Sequence, residues 1–232
     1  MAADAFEPDL SRSDDVGPLD DAQKALRAQL LATEHWCLLA SRSTTQNEVL
    51  TRIAIFLTLV SAGLVTLGML GQATGFRGWF GVAALGVLAL LVMVGVMTLL
   101  RAFNSATEDL MYVLAMNRLR GAYLDLDPGL ARYFMMAAED DRAGAERTYH
   151  YFFRRGASQV LASSMMIITA VTAAVAGLFA GSLAGALGAE AWVCIGIGVG
   201  ALMLAGFLRR GYLLYLRSYA SHLPLRRTPD TA

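Results

Sequence analysis

The sequence is poor in residues that carry catalysis, metal binding or covalent cross-linking. It has three histidines and two cysteines among 232 residues. Cys37 lies in a predicted cytoplasmic helix and Cys194 in an apolar block, so a disulfide between them is not expected. The formal net charge is zero, so no overall basic field indicates a nucleic-acid partner. No nucleotide-binding glycine loop and no Ser–His–Asp or Cys–His set is visible. We therefore expect no cofactor, no nucleic-acid partner and no enzymatic activity.

Charge is also missing from four long stretches that contain no Asp, Glu, Lys, Arg or His. A bilayer core about 30 Å thick takes roughly 20 apolar residues in a helix. The last stretch is the shortest, and Arg209 and Arg210 behind it can snorkel to the interface. The remaining chain has too little amphipathic sequence to enclose four such helices in a soluble protein. The sequence predicts an all-α polytopic membrane protein with four transmembrane helices and extended cytoplasmic amphipathic helices. The four stretches are 53–76, 78–100, 156–189 and 191–208.

Basic residues are concentrated on one side of these stretches. If residues 1–52, 101–155 and 209–232 share one side of the membrane, that side holds every lysine and arginine except Arg77. Positively charged flanks stay in the cytoplasm. Basic positions are almost all arginine, and alanine is abundant, which is typical of a GC-rich bacterial genome. We therefore predict a multi-pass protein of the bacterial inner membrane with both termini in the cytoplasm.

The charged segments divide the chain into six parts. Residues 1–18 are acidic and lack an apolar core, which favours a disordered tail over a secretory signal. Asp20 or Asp21 is expected to cap the helix that follows, because a carboxylate accepts the free N–H groups of a first turn. The parts are an acidic tail 1–18, a cytoplasmic lead-in helix 19–51, a transmembrane hairpin 52–100, a cytoplasmic helical segment 101–155, a second transmembrane hairpin 156–209 and a cytoplasmic tail 210–232.

Small side chains recur at four-residue spacing in the third span and again in the fourth. Small residues on one helix face let two backbones approach closely. Two interpretations follow, namely tight packing inside one chain and dimerisation through the same face. The residues concerned are Ala173, Gly177, Gly181, Gly185, Gly196 and Gly200.

Hydroxyl side chains are the polar candidates for a function inside the spans. Thr58, Ser61 and Thr66 of the first span are candidates for lining a pore, since filters do not require charged side chains. The other interpretation is that each hydroxyl bonds to the preceding helical turn or to a neighbouring helix. Because ionisable groups inside a membrane mark proton relays and substrate sites, proton-coupled transport and intramembrane proteolysis are not expected.

Charged residues near the membrane boundary suggest an ion-pair network on the cytoplasmic side. Two of them precede the first span and are four residues apart, a spacing that brings side chains together on a helix. The helix that leaves the second span offers partners of both signs. The predicted network comprises Glu48, Arg52, Glu108 and Arg118, with Asp109 and Arg120 as further candidates.

Metal binding is the remaining question that the sequence raises. Glu34 and Cys37 are three residues apart, but His35 between them points to another side of a helix, so a surface helix is favoured over a zinc site. The acidic run 139–141 is expected to be a solvated loop, with attraction of a cation as the other interpretation. No metal site is predicted.

Two segments resemble a family of bacterial multi-pass membrane proteins to which no activity is assigned. They are LLATEHWCLLASRSTTQNEVLTRIAIFL and AMNRLRGAYLDLDPGLARYF, and the resemblance covers about residues 29–155. The LLATEHW run followed by Asn-Glu is its most distinctive part. The resemblance implies a four-span topology and no catalytic residues. The chain is also similar in architecture to bacterial two-span effector domains, whose oligomers are thought to breach membranes.

The predicted cytoplasmic helices are long and amphipathic, and the spans they join contain no ionisable residue. This combination favours a non-enzymatic role. The expected function is self-association, most simply as a homo-oligomer, or binding of a protein partner through the cytoplasmic helices, with the lipid bilayer as the other partner. The alternative is a homo-oligomeric ion channel or pore-forming membrane effector. A membrane-bound enzyme is least expected, because the central loop is small for an active site.

The predicted orientation can be tested with single cysteines in a Cys37→Ser, Cys194→Ser background. Ala143→Cys lies in the central loop and Ala186→Cys near the outer turn between the last two spans. A membrane-impermeant maleimide applied to intact cells is expected to label Ala186→Cys, and to label Ala143→Cys only after permeabilisation. Labelling of Ala143→Cys in intact cells would show that the orientation is inverted or wrong.

Overall fold

A computed structural model describes residues 19–151, 163–220 and 222–229 of the protein. All regular structure in these ranges is helical, which confirms the all-α prediction. The predicted acidic tail 1–18 and the first residues of the second predicted hairpin, 156–162, lie outside the described residues.

Two long antiparallel helices form the first half of the molecule. Helix α1 spans Asp21–Thr74 and helix α2 spans Phe80–Leu126. Asp20 caps α1 through a reciprocal pair of bonds with Gln23, a capping box that satisfies two N–H groups of the first turn. With 54 residues, α1 is about 80 Å long at 1.5 Å per residue. The predicted lead-in helix and the first span are therefore one continuous helix.

The chain turns sharply where α1 meets α2 and again where α2 ends. Gly75 and Gly78 adopt φ values of 60° and 64° in the first turn, a left-handed conformation that glycine reaches without a steric cost. Helix α2 stops at Leu126 because Pro128 follows, and residues Pro128–Tyr133 form a short 3-10 helix. Helix α3, Arg142–Tyr149, starts at the cap residue Asp141.

The second half is a tighter hairpin of helix α4, Ser164–Ala186, and helix α5, Trp192–Ala220. A methyl group added to Gly177 would lie 2.7 Å from the carbonyl oxygen of Gly196, and one added to Gly200 would lie 3.1 Å from that of Ala173. The predicted small-residue face thus lies between α4 and α5 of a single chain. Helix α5 also continues to Ala220, so the first part of the predicted tail 210–232 is helical.

Four helices are long and apolar enough to cross a membrane, which confirms the multi-pass prediction. Where α1, α2 and α4 meet, Phe56, Leu99 and Ile168 are fully buried. Most of the apolar surface nevertheless faces outward: only 17% of the most apolar window of α1 and 6% of that of α5 is buried inside the protein. The helices therefore leave most of their apolar surface for lipid to cover.

Charged side chains collect at one end of this bundle, which we call the polar end: residues 19–52, 101–151, 209–220 and 222–229. Every ion pair between described residues lies there. The polar end consists of the continuations of α1, α2 and α5 beyond the apolar windows, together with the 3-10 helix, α3 and the C-terminal segment.

The contact between α4 and α5 predicts different outcomes for two neighbouring glycines. Gly196→Val forces its side chain against the carbonyl oxygen of Gly177, only 2.8 Å from an added methyl group, whereas Gly198→Val meets open space. We expect Gly196→Val to cost about 1–3 kcal/mol of stability through overpacking. Thermal unfolding in detergent should show a lower midpoint for Gly196→Val and a midpoint near the wild-type value for Gly198→Val. Equal midpoints for the two variants would contradict this packing.

Candidate functional site

The first charged cluster of the polar end surrounds Arg101. Its guanidinium bonds Glu48 on α1 at 3.0 Å and Glu108 on α2 at 2.7 Å, and Arg52 bonds Glu48 at 2.9 Å. Two members of the predicted network, Glu48 and Glu108, are thus linked through Arg101, and a third, Arg52, joins them through Glu48. From the sequence, Arg101 was expected only to mark the boundary of a span. The cluster is partly exposed, so each pair contributes modestly to stability.

Arg118, the fourth residue of the predicted network, does not belong to this cluster. It follows Glu108 by ten residues on the same helix, which places it about 15 Å further along the axis. Its guanidinium instead pairs with Asp140 at 2.7 Å. The pairing was not visible in the sequence because it depends on how the segment after α2 folds back.

The second cluster is centred on Asp109 and joins three helices. Arg42 of α1 bonds both carboxylate oxygens, at 2.6 and 3.2 Å, and Gln46 donates to the carboxylate at 2.8 Å. The hydroxyl of Tyr149 on α3 donates at 2.7 Å. Burial pushes the pKa of Asp109 upward, but the bonds from Arg42 and Tyr149 outweigh burial and hold it below its ordinary value. Asp109 is therefore an ionised anchor that fixes α1 and α3 against α2.

Asn117 anchors the segment that follows α2. Its side chain is fully buried, and its amide nitrogen donates to the carbonyl oxygen of Glu139 at 3.0 Å. Its amide oxygen accepts from Arg120 at 2.6 Å and from the hydroxyl of Thr148 at 3.0 Å. Arg120 therefore binds Asn117 on its own helix, and makes no ion pair with the Glu48 cluster among the described residues.

The third cluster holds the C-terminal segment, residues 222–229, which we call the tail strap. The side chain of Asp140 is fully buried and accepts bonds from the backbone N–H groups of Leu225 at 3.2 Å and Arg226 at 2.7 Å. Arg118 supplies the opposite charge, and His222 lies 3.5 Å away. The expectation of a solvated acidic loop at 139–141 is therefore wrong for Asp140, because the tail strap covers it.

Neighbouring acids hold the rest of the tail strap. Asp141 caps α3 through the N–H of Gly144 at 2.7 Å and also accepts from the N–H of Thr228 at 2.6 Å. Arg226 pairs with Asp125 near the end of α2. Burial raises the pKa of Asp140, but the bonds from Arg226, Arg118 and Leu225 outweigh it, and the net pKa lies below the ordinary value.

A shallow groove runs beside the tail strap between α1 and α2. Its volume is about 360 Å³, and most of its wall is apolar, with Leu38 and Leu114 on opposite sides. The polar groups at its edge are Glu34, Arg118 and His222. Arg118 and His222 already bond the Asp140 segment, so the groove offers an apolar contact surface with few free polar groups.

The hydroxyls considered for a pore bond to their own helix. Thr58 donates to the carbonyl oxygen of Ala54 at 2.9 Å, and Ser61 donates to that of Leu57 at 2.9 Å. Thr66 likewise bonds the carbonyl four residues before it, at 2.8 Å. All three side chains lie on an exposed face of α1, so within one chain they surround no channel.

The described ranges contain no group of three or more His, Cys, Asp or Glu residues placed to hold a metal ion. Glu34 and Cys37 lie on exposed turns of α1. Within the same ranges, ion pairs and capped turns of the polar end join its helices to one another and to the tail strap.

The fold and the polar end define the class of this chain as an all-helical, multi-pass membrane protein. Comparison with protein families, with curated proteins and with solved structures gives no match for it.

The buried carboxylate of Asp140 predicts how the tail strap is released. Asp140→Asn removes the charge that Arg118 and two backbone N–H groups stabilise, and a bond to a charged group contributes about 1.5–3 kcal/mol. We expect the strap to open at least about tenfold more often, which corresponds to about 1.4 kcal/mol. A spin label on Arg227→Cys, in the Cys37→Ser, Cys194→Ser background, should become more mobile in Asp140→Asn.

Glu146→Gln is the matched control, because it alters an exposed pair with Arg142 on α3 and leaves the strap contacts intact. Since the pKa of Asp140 is lowered in the folded state, its contribution is complete at neutral pH and is lost only as the pH falls below about 4. The wild-type label should therefore stay immobile from pH 8 to about 5. Equal label mobility in Asp140→Asn and wild type would contradict the anchor.

Proposed function

We propose that this chain is a non-enzymatic protein of the bacterial inner membrane that self-associates or binds a protein partner through its cytoplasmic helices. In this proposal the polar end lies in the cytoplasm with both termini, as the distribution of arginine indicates. The four apolar helices hold the polar end at the membrane surface and present it for contact.

The observation that supports the proposal is the uncovered surface of α1 at the polar end. Over 21–52, a length of more than eight turns, α1 has no buried residue, and its first buried side chain is Ile53. Large apolar side chains point outward there: Leu26 is 58% exposed, Leu30 63% and Trp36 70%. Contiguous exposed apolar surface marks interaction sites, and the fold covers only the opposite side of this helix, with α2.

The ion pairs of the polar end support the same proposal. Asp109 ties α1 to α2 and α3, and Arg101 ties α1 to α2 closer to the apolar windows. These bonds hold α1 in a fixed position before any partner arrives. A preorganised surface loses less conformational entropy on binding than a mobile one does.

A channel lined by Thr58, Ser61 and Thr66 draws less support. Their hydroxyls are already bonded to backbone carbonyls of their own helix, so they offer acceptor lone pairs only. A path for ions would also require several copies of the chain around it.

The proposal predicts that polar substitutions on the outer side of α1 weaken assembly. The test variant carries all three substitutions, Leu26→Gln, Leu30→Gln and Trp36→Gln. Each change removes an apolar side chain whose burial in the complex contributes about 1.5–3 kcal/mol. The dissociation constant of the complex should therefore rise by at least about a hundredfold. Mass measurement of the full chain in lipid nanodiscs over a dilution series gives the constant, and affinity capture of the same variants reports partner binding.

Leu223→Gln serves as the control, because Leu223 is also an exposed large apolar residue but belongs to the tail strap and not to the surface of α1. It should assemble like the wild type. A wild-type chain that stays monomeric at every concentration and captures no partner would overturn the proposal.

A further inference from the structure

The tail strap is held to the rest of the chain by its backbone at several points. Residues 222–229 contain no helix or strand, so their N–H and C=O groups need partners elsewhere. Asp140 accepts from the N–H groups of Leu225 and Arg226, and its own N–H donates to the carbonyl oxygen of Arg226 at 3.2 Å. Arg118 donates to the carbonyl oxygen of Leu223 at 3.2 Å. Such bonds hold a segment in place through groups that nearly every residue has.

One side chain of the strap, that of Arg226, enters a slot that α2 shapes around it. Gly121 forms the floor, because a methyl group added to it would lie 2.7 Å from Cδ of Arg226 and 3.0 Å from the carbonyl oxygen of Ala138. Asp125, one helical turn further along α2, pairs with the guanidinium. A glycine inside a helix is less stable than an alanine. At this position the missing side chain leaves the room that Arg226 occupies.

A second side chain of the strap is bound two residues later. The hydroxyl of Thr228 donates to Asp141 at 2.9 Å and accepts from Arg147 at 3.1 Å, so both its donor and its acceptor capacity are used. Arg227, which lies between the two bound side chains, is exposed. The fold therefore distinguishes two neighbouring arginines, since it encloses the first and leaves the second in solvent.

These contacts combine the two elements with which proteins recognise peptide segments. Backbone bonds supply affinity, and slots for individual side chains supply selectivity. The walls come from α2 and from the loop that leads into α3, whereas the strap follows that loop by about 85 positions. We call this site the arginine slot, and it comprises Gly121, Asp125, Asp140 and Asp141.

The walls of the arginine slot are also fixed by contacts that do not involve the strap. Asn117 bonds the carbonyl oxygen of Glu139 at 3.0 Å, and Arg118 bonds the carboxylate of Asp140 at 2.8 Å. Asp141 caps the first turn of α3. We therefore expect the acids to keep their positions when the strap leaves, and a preorganised site loses less conformational entropy on binding.

We infer that the arginine slot is a recognition site for a non-helical peptide segment with an arginine followed two residues later by a threonine, and that the tail strap fills this site within its own chain. A segment of the same chemistry on a partner protein binds in exchange for the strap. This inference rests on the proposed function, because it names the kind of segment that a partner offers to the polar end. Tethering gives the strap an effective concentration on the order of millimolar, so the strap keeps weaker competitors out.

The test offers the strap segment as a separate peptide to the full chain. In the chain variant Arg226→Glu, a carboxylate faces Asp125, so the strap's own side chain leaves the slot while the walls are unchanged. A fluorescent peptide with blocked ends and the sequence HLPLRRTP, residues 222–229, is titrated with the chain in lipid nanodiscs, and its anisotropy is measured. We expect binding to Arg226→Glu to be at least about tenfold tighter than to the wild type, in which the tethered strap competes.

Two variant peptides separate recognition from general attraction of a basic peptide. The peptides Arg226→Ala and Arg227→Ala lose the same charge, but only the first loses the side chain that fills the slot. We expect the Arg226→Ala peptide to bind at least about tenfold more weakly than the unchanged peptide, because it loses a bond between charged groups. The Arg227→Ala peptide should bind like the unchanged one.

Substitutions in the walls give an independent measurement. Added to the Arg226→Glu chain, Gly121→Val fills the floor of the slot and Asp140→Asn weakens the backbone bonds. Each should weaken peptide binding at least about tenfold. Glu146→Gln, which alters an exposed pair outside the slot, should leave binding unchanged. The helical circular dichroism of every variant should match that of the wild type.

The outcomes separate this inference from the proposed function. Binding to the Arg226→Glu chain that depends on Arg226 of the peptide but not on Arg227 supports the recognition site. No binding to that chain, or equal binding of the two alanine peptides, overturns the site, while the assembly measured with the α1 variant is unaffected and the proposed function stands. Specific peptide binding by a chain that is monomeric and captures no partner supports the recognition site and overturns the proposed function.

Discussion

The structure depends on the transfer of apolar surface from water to lipid. The apolar windows of the four candidate spans contain long uncharged runs, yet only 6 to 44% of each window is buried by the rest of the chain. Burial of apolar surface contributes about 25 cal/mol for each Å² removed from water, so helices with this much uncovered surface are stable only where lipid covers it. Within the bilayer, each helix satisfies its own backbone hydrogen bonds.

Outside the apolar windows, ion pairs and caps take over the role that a hydrophobic core has elsewhere. The polar end has a small apolar cluster in which Leu110, Leu114 and Ala145 are buried. Around it, Asp109 and Asp140 each gather donors from distant parts of the chain, with Asp140 binding residues that follow it by about 85 positions. Because each acid collects several partners at once, it orders its surroundings more than an isolated surface pair would.

The spans could be predicted from the sequence because length and hydropathy decide them locally. The Asp20 cap was predictable as well, since a capping carboxylate acts on its own first turn. The continuity of α1 also left a signal: no proline or glycine interrupts the chain between Asp21 and Ala62, so nothing marks a break between lead-in helix and span.

The third cluster could not have been predicted in this way. Asp140 stands in an acidic run that resembles any solvated loop, and its burial depends on the tail strap, which is remote in sequence. Helix geometry alone shows that Arg118 lies far from Glu108. It does not show that Arg118 pairs with Asp140. Arg101 was also not predicted as a member of the first cluster. In the sequence it marks the end of an uncharged stretch, and its two partners become visible only in the fold. Pairings between remote segments are set by tertiary folding and leave no local pattern.

If lipid covers the apolar windows, the continuous helix α1 must leave the bilayer near Arg52 without a break. The most direct test measures how accessible spin labels on α1 are to oxygen and to a water-soluble nickel relaxant in nanodiscs. The labels are placed at the exposed positions Ala25, Leu39, Leu59 and Leu64. We expect nickel to reach the labels at Ala25 and Leu39, and oxygen to dominate at Leu59 and Leu64, where lipid surrounds the helix. Equal access of nickel to all four labels would contradict the exit of α1 from the bilayer near Arg52, because α1 would then lie in water along its whole length.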